Sequence, residues 1–331
     1  MSDVAALAGV SHQTVSRVLN DHPSVRPGTR ARVLDAVEAL GYRRNSAART
    51  LVTRRSGTIG VVTSGSALFG PISTLLAIER AARDGGLFVS VVTVRQWDAA
   101  EVRTALDHFM DQGVDGAVVI ANQDDALDAV RTWDARIPVV VVGSQDVPSG
   151  RLRAVAVDQY AGACTAVWHL LDLGHRSIAH LTGPMDWIDA RERLRGWRDE
   201  LEWAGRAVPA PIDGDWTAER GFRVGLALAD GELPTAVFAA NDQLALGLLH
   251  AFAQRGVRVP QDVSVVGFDA VDGSDHFVPP LTTVHQDFEG LGQRCLAVLR
   301  TAIDGEAASA ETIVPRLIVR ASTAAPRTPE A

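Results

Sequence analysis

"DVAALAGVSHQTVSRVLND", Asp3 to Asp21, sets two short apolar periodicities on either side of a single glycine. Val4, Leu7 and Ala8 fall on one helical face, and Gly9 supplies the left-handed conformation that ends a helix in a tight turn. Ser11 is then a good N-cap for a second helix, whose buried stripe is Val15, Val18 and Leu19. A third helix, begun near Pro27 and Thr29, is expected to bury Val33, Leu34, Val37 and Leu40 and to end at Gly41. Three short helices, with only a few residues between the first two, make a helix-turn-helix.

Net charge separates this segment from the rest. The 331 residues carry 32 arginines, no lysine and 40 acids, for −8 overall. Residues 1–56 hold nine of the arginines against four acids, or +5, which leaves 23 against 36, or −13, for the remainder. A small basic module on a large acidic body is expected where one end meets a polyanion. His12, Gln13, Ser16, Arg17 and Asn20 are expected on the outer face of the second helix. Gln and Arg can each make paired hydrogen bonds to base edges, while Thr14, Ser16 and Asn20 can reach phosphates. Read alone, such a face is only the solvated side of an amphipathic helix. The turn before it, the helix behind it and the local positive charge favour a major-groove reader.

After Tyr42 comes "RRNSAARTLVTRRSG", a basic stretch too short to hold a helix alone in water, so it is expected to order only when something supports it. From Thr58 the pattern becomes continuous apolar runs: "TIGVV", "LFVSVVTV", "GAVVI", "PVVVV", "AVAV", "SIAHL", "TAVFAA" and "VSVVGF". Strands buried on both faces by crossover helices read this way. Helical periodicity lies between them, as in Ile72–Asp84, Tyr160–Leu173, Ala190–Ala204 and Leu244–Arg255. The fold class is therefore α/β: a three-helix head and a core of two doubly wound parallel-sheet halves. In such sheets ligands bind beyond the carboxyl ends of the strands, which directs attention to 64–71, 143–146, Asn241, Asp242 and Asp269.

The chemistry at those ends suits binding better than catalysis. No Walker loop, nucleophile elbow, zincin helix or dinucleotide-binding glycine turn is present, and the nine histidines are scattered. Asp269 could accept hydrogen bonds from sugar hydroxyls, and Asn241 could both donate and accept. Arg193 could donate a fork of hydrogen bonds and Trp216 could stack on an apolar sugar face. Spacing alone equally allows Asn241 and Asp242 as helix caps, Arg193 as a solvated arginine and Trp216 as a packing anchor. Cys164 and Cys295 form no disulfide or zinc pattern, and neither a signal peptide nor an apolar run long enough for a bilayer is visible. A cytoplasmic protein without metal, cofactor or membrane partner is expected.

Taken together, "DVAALAGVSHQTVSRVLND", "VRPGTRARVLDAVEALGYRRNSAARTL" and "DVSVVGFDAVDGSDHFVPPLTTVHQDF" resemble the lactose and galactose repressor (LacI/GalR) family of bacterial transcription regulators, over nearly the whole chain. "GDWTAERGF", "ANDQLALG", "PPLTTVHQDF" and "LTGPMDWIDARERLRGW" place it near the lactose-repressor branch. The resemblance implies a repressor of carbohydrate-utilisation genes, a homodimer on a pseudo-palindromic operator, released by a sugar bound between the two core halves. It implies DNA contacts from His12, Gln13, Thr14, Ser16, Arg17, Asn20, Ser24 and Thr29. It also implies a minor-groove hinge helix with Asn45, Ala48 and Leu51, the leucine wedging between base pairs. For the effector it implies Leu68, Pro71, Asp189, Arg193, Trp216, Asn241, Asp269, Gln286 and Phe288.

Several positions depart from that branch. Gly143 stands where it has a pocket aspartate, so a sugar contact is missing or comes from Ser144 or Gln145. Trp187 and Asp189 replace serines, and His12 replaces a tyrosine, so the inducer and the operator preference are expected to differ. "ASTAAPRTPEA" lacks a leucine-heptad tail, which favours a dimer over a tetramer. The first helix begins almost at Met1, which suggests that a few arm residues are missing. The expected boundaries are 1–44 for the head, 45–56 for hinge helix and linker, 57–325 for the core and 326–331 for a disordered tail. Within the core, 57–156 and 288–315 form one half, and 157–287 and 316–325 the other. The alternatives are a corepressor-activated regulator of the same fold and a sugar-binding protein or carbohydrate enzyme without a DNA function.

Overall fold

A computed structural model describes residues 1–19, 22–42, 55–65, 67–95, 97–134, 136–143, 152–307 and 309–327. The chain forms two compact units, Met1–Ser56 and Gly57–Ala331. The expected hinge helix, 45–51, and the last four tail residues, 328–331, lie outside the described residues.

The first unit holds α1 (Ser2–Ala8), α2 (His12–Leu19) and α3 (Pro27–Ala39). Gly9 closes α1 at φ 63°, and Ser11 Oγ accepts the Thr14 amide at 3.2 Å at the start of α2. A small core of Val4, Ala5, Ala8, Val15, Val18, Leu19, Val33 and Ala36 holds the three helices together. Leu7, Leu34 and Leu40, expected inside, are 58%, 48% and 46% exposed. At 100° per residue, Leu7 and Leu34 lie about a quarter turn off the faces that the alanines fill. Leu40 follows the last residue of α3. Arg30 Nη2 donates to His22 O at 3.1 Å and Nη1 to Val18 O at 3.5 Å, tying α3 to the end of α2.

The second unit contains two lobes, each a sheet between helices. In the first lobe the strands are β1 (Thr58–Ser64), β2 (Phe88–Val94), β3 (Gly116–Ile120), β4 (Val139–Val142), β5 (Leu152–Val157) and β10 (Glu311–Ile313). They pair in the order β10-β5-β4-β3-β1-β2, all parallel. Helices α4 (Phe69–Asp84) and α11 (Phe288–Ile303) cover one face, and α5 (Ala99–Gln112) and α6 (Asp124–Thr132) the other. Helix α4 starts three residues before the sequence pattern suggests. Pro71 lies in its first turn, where no amide is needed by the helix.

The second lobe orders its strands β11-β9-β8-β7-β6. Four of them, β6 (Ile178–Leu181), β7 (Ala236–Ala239), β8 (Ser264–Asp269) and β9 (Thr282–His285), are parallel. The edge strand β11 (Arg316–Ile318) runs antiparallel to β9, so this sheet is mixed rather than wholly parallel. Helices α7 (Gln159–Asp172) and α8 (Ile188–Trp203) pack on one face, and α9 (Ala218–Asp230) and α10 (Asp242–Arg255) on the other. The chain crosses between lobes after β5, after β9 and between β10 and β11. Two of those crossings carry glutamines, Gln159 and Gln286.

Candidate functional site

The carboxyl ends of β1, β3, β4 and β5 face those of β6, β7, β8 and β9 across a cleft with about 610 Å³ of empty space, its open mouth included. Leu68, Pro71, Asp189, Arg193, Trp216, Asn241, Asp269, Gln286 and Phe288 all line it. Asn122, Gln159, Phe69 and Trp187 line it too. Trp187 stands among the departures from the branch and Phe69 falls in the flagged stretch 64–71, whereas Asn122 and Gln159 are not singled out by the sequence although they lie two residues beyond β3 and β5.

At the centre lies a closed ring of side chains. Arg193 Nε donates to Gln159 Oε1 at 2.9 Å, Gln159 Nε2 to Gln286 Oε1 at 2.8 Å, and Gln286 Nε2 to Asp269 Oδ1 at 2.7 Å. Arg193 Nη2 closes it, 3.5 Å from Asp269 Oδ1, with the two side chains 3% and 8% exposed. Arg193 Nη1 also donates to Ala240 O, and its guanidinium lies 3.8 Å from the Phe268 ring centre. This arginine is not the solvated side chain that spacing allowed. Burial pulls its affinity for a proton down while Asp269 supports the charge. Burial likewise pushes the Asp269 carboxyl up to about 6, opposed by Arg193 and the Gln286 amide.

Backbone strain marks the same residues. Asp269 has φ 103° and Trp216 φ 69°, conformations costing about 1–3 kcal/mol each and concentrated at ligand sites. Trp216 lies flat over Gly183, where a Cβ would come within 2.2 Å of the indole, and meets Trp187 edge-on at 5.8 Å. Asn241 is both cap and clamp: its Oδ1 accepts the Leu244 amide at 2.9 Å and its Nδ2 donates to Trp216 O at 3.1 Å. Asp242 is no cap. It is buried, accepts from Thr283 Oγ1 at 2.6 Å and the Val271 amide at 2.9 Å, and burial beside Asp269 pushes it up to about 7.

Asp189 is half-buried at the cleft wall, and burial raises its carboxyl against the pull of Arg193. Across the cleft, Gly143 has φ 115°, and a Cβ there would lie 2.7 Å from Ala121 O and 3.0 Å from Asn122 Oδ1. No side chain fits at that position without a backbone shift. Ser144 and Gln145, the proposed substitutes, lie outside the described residues.

In the first unit, His12, Gln13, Arg17 and Ser24 are exposed, while Thr14, Ser16 and Thr29 are half-buried. Thr14 Oγ1 lies 2.9 Å from Ser11 Oγ, and Ser24 Oγ 2.8 Å from His22 Nδ1. Asn20, Asn45, Ala48 and Leu51 lie outside the described residues. Among the described residues no helix is long and apolar enough to cross a membrane, and no group of three metal-ligating side chains occurs.

A helix-turn-helix unit joined to a two-lobed core with a polar cleft defines a ligand-responsive DNA-binding regulator. Residues 1–45 match the profile described as "Bacterial regulatory proteins, lacI family", and 167–323 that of a "Periplasmic binding protein-like domain". The lactose operon repressor of Escherichia coli (strain K12) is 37% identical over 330 residues, covering 98% of this chain and 91% of that one. The solved Lac repressor dimer bound to operator and the anti-inducer ONPF matches with a TM-score of 0.83 at 35% identity, over 98% of both chains. A complex of the transcriptional regulator CelR with cellobiose matches at 0.71 and 33%, over 97% of this chain and 98% of that one. The chain belongs to the LacI family of bacterial regulatory proteins.

Proposed function

We propose that this protein is a dimeric transcriptional repressor of carbohydrate-utilisation genes, released from a pseudo-palindromic operator by a sugar bound between the lobes of its core. The ring of Gln159, Gln286, Asp269 and Arg193 carries this reading. It is a hydrogen-bonded polar surface lining the cleft, and its second amide hydrogens and second carboxylate oxygen leave donor and acceptor capacity suited to a neutral polyol. A glycoside of galactose or glucose is the class in view, since one relative is a lactose operon repressor and another is solved with cellobiose.

In this reading the nine cleft residues from Leu68 to Phe288 are the effector contacts. His12, Gln13 and Arg17 read base edges, with Thr14, Ser16, Asn20, Ser24 and Thr29 on the backbone. Residues 45–56 form the hinge and linker between a head of 1–44 and the core, Asn45, Ala48 and Leu51 entering the minor groove. The chain acts by binding rather than catalysis, in the cytoplasm. Operator and sugar prefer different arrangements of one two-state core, so each weakens the other by the same factor.

The test is an operator-binding titration with lactose, cellobiose, o-nitrophenyl β-D-galactoside and hypoxanthine. Release by at least one glycoside is expected. Tightening by the purine with no response to any sugar would reverse the sign of the regulation, and weak binding indifferent to DNA sequence at physiological salt would remove the repressor assignment.

A further inference from the structure

The two lobes also touch where no ring residue takes part. Gln123, the cap of α6 in the first lobe, pairs with Trp187, the cap of α8 in the second, through an isolated antiparallel bridge. The Ile188 amide donates to Asn122 O at 2.9 Å. Gln123 Nε2 donates to Asp186 Oδ2 at 2.6 Å, and Arg191 Nη2 lies 2.6 Å from Asp124 Oδ1. Arg191 Nη1 is held by Met185 O at 2.9 Å. Ile188 itself packs into the apolar core of the opposite lobe.

The order of residues along this strap is informative. Asp186, Ile188 and Arg191 engage the first lobe, while Trp187, Asp189 and Arg193 line the cleft. The eight residues from Asp186 to Arg193 therefore carry both the contacts that hold the lobes together and groups that line the cleft. Separating the lobes must draw Trp187 and Asp189 away from the facing wall. A ligand that needs both walls then sees only the fraction of molecules with the strap engaged, and its apparent affinity falls by that fraction.

We infer that residues 122–124 and 186–191 form a clasp across the cleft that sets the sugar affinity of the core, with Arg191, Asp124, Gln123 and Asp186 as positioning residues. This rests on the reading of the cleft as the sugar site. The two side-chain pairs are partly exposed, so each contributes modestly, whereas a reversed charge at Arg191 sets two like charges against each other.

The experiment uses the full chain. Hydrogen exchange at the Ile188 amide, without added sugar, reports the clasp directly, and calorimetry with cellobiose and o-nitrophenyl β-D-galactoside reports affinity. Arg191→Asp is expected to speed exchange at Ile188 about tenfold and to weaken the bound probe about three- to tenfold. Arg191→Asp combined with Asp124→Arg should recover both, which a general loss of stability would not. An unchanged Ile188 amide in Arg191→Asp and in Gln123→Ala overturns the clasp. Faster exchange with unchanged affinity overturns its control of binding. If the parent protein binds neither probe while Ile188 still responds, the clasp stands and the sugar reading, with the affinity claim built on it, falls.

Discussion

The two walls of the cleft are built by different physics. The second lobe presents Asp189, Arg193, Asn241 and Asp269, most of them locked by hydrogen bonds at 2.7–3.1 Å to other protein groups. The first presents a mostly apolar surface, Leu68, Phe69, Pro71, Val142 and Phe288, with Thr74 and Asn122 beside it. A polar wall cannot shift without leaving buried donors and acceptors unpaired, at about 1–3 kcal/mol each. An apolar wall can slide at much lower cost. In the proposed reading, the polar lobe fixes the ligand and the apolar lobe is the one that responds. Gln159 and Gln286 stand at two crossings between the lobes, so the ring is tied directly to the chain segments that join them.

The sharpest way to break this contrast is Arg193→Ala. It removes the one cation lining the cleft among the described residues and strands Asp269, Gln159 and Ala240 O. Losing one partner of a buried pair costs about 3–5 kcal/mol, so thermal unfolding of the core should drop markedly. Sugar affinity measured by calorimetry should fall more than about a hundredfold, because charged hydrogen bonds are lost as well as the pocket's shape. Arg193→Lys should recover only part of it, since an ammonium cannot reproduce the fork. Unchanged affinity in Arg193→Ala would mean that the polar wall is not the recognition surface.

Asp269→Asn tests charge apart from shape. The amide keeps an acceptor for Gln286 but loses the ion pair with Arg193, and affinity should fall about ten- to hundredfold. It should also change the pH profile. In the parent, burial pushes the Asp269 carboxyl up to about 6. A sugar that donates hydrogen bonds to the carboxylate lowers that value on binding. Affinity is then full above about pH 6 and falls as pH drops through the interval between the free and bound values, by at most about tenfold per unit. Calorimetry from pH 5 to 8 should show this slope in the parent and a flatter one in Asp269→Asn. An equal slope in both would assign the titration to a neighbouring carboxylate that burial also raises, Asp189 on the cleft wall or Asp242 behind it.

Much of this arrangement is legible in the sequence because parallel strands buried on both faces leave continuous runs such as "VVVV" and "SVVGFD". Residues that follow such runs must lie at the cleft, which is how Asp269 and Asn241 could be singled out. The ring that holds Asp269 is not legible. Gln286 comes only from the resemblance, and its bond to Gln159 spans 127 residues, a pairing that no local pattern encodes. The clasp pairs residues 63 and 67 apart at the starts of α6 and α8, contacts that no local periodicity encodes. Leu7 and Leu34 were misplaced for the opposite reason. In a core this small the narrow alanine faces pack closest, and the larger leucines are left outside.

The smallest expected effect sharpens the contrast from the apolar side. Phe288 opens α11 and meets Phe69 edge-on at 5.7 Å, with rings 78° apart, both on the cleft wall. Phe288→Leu keeps an apolar surface of nearly the same reach but removes the aromatic edge, a contact worth about 0.5–1.5 kcal/mol. Affinity for a glycoside carrying an aryl group should fall about two- to tenfold, and affinity for the parent free sugar should barely change. The ratio of the two, from paired calorimetry with o-nitrophenyl β-D-galactoside and galactose, is the quantity to measure. A selective loss for the aryl glycoside would place the aglycone on the first lobe and the sugar ring on the second. An equal loss for both ligands would mean that Phe288 acts through the packing of α11 on its lobe, so that the apolar wall sets the spacing of the cleft rather than its selectivity.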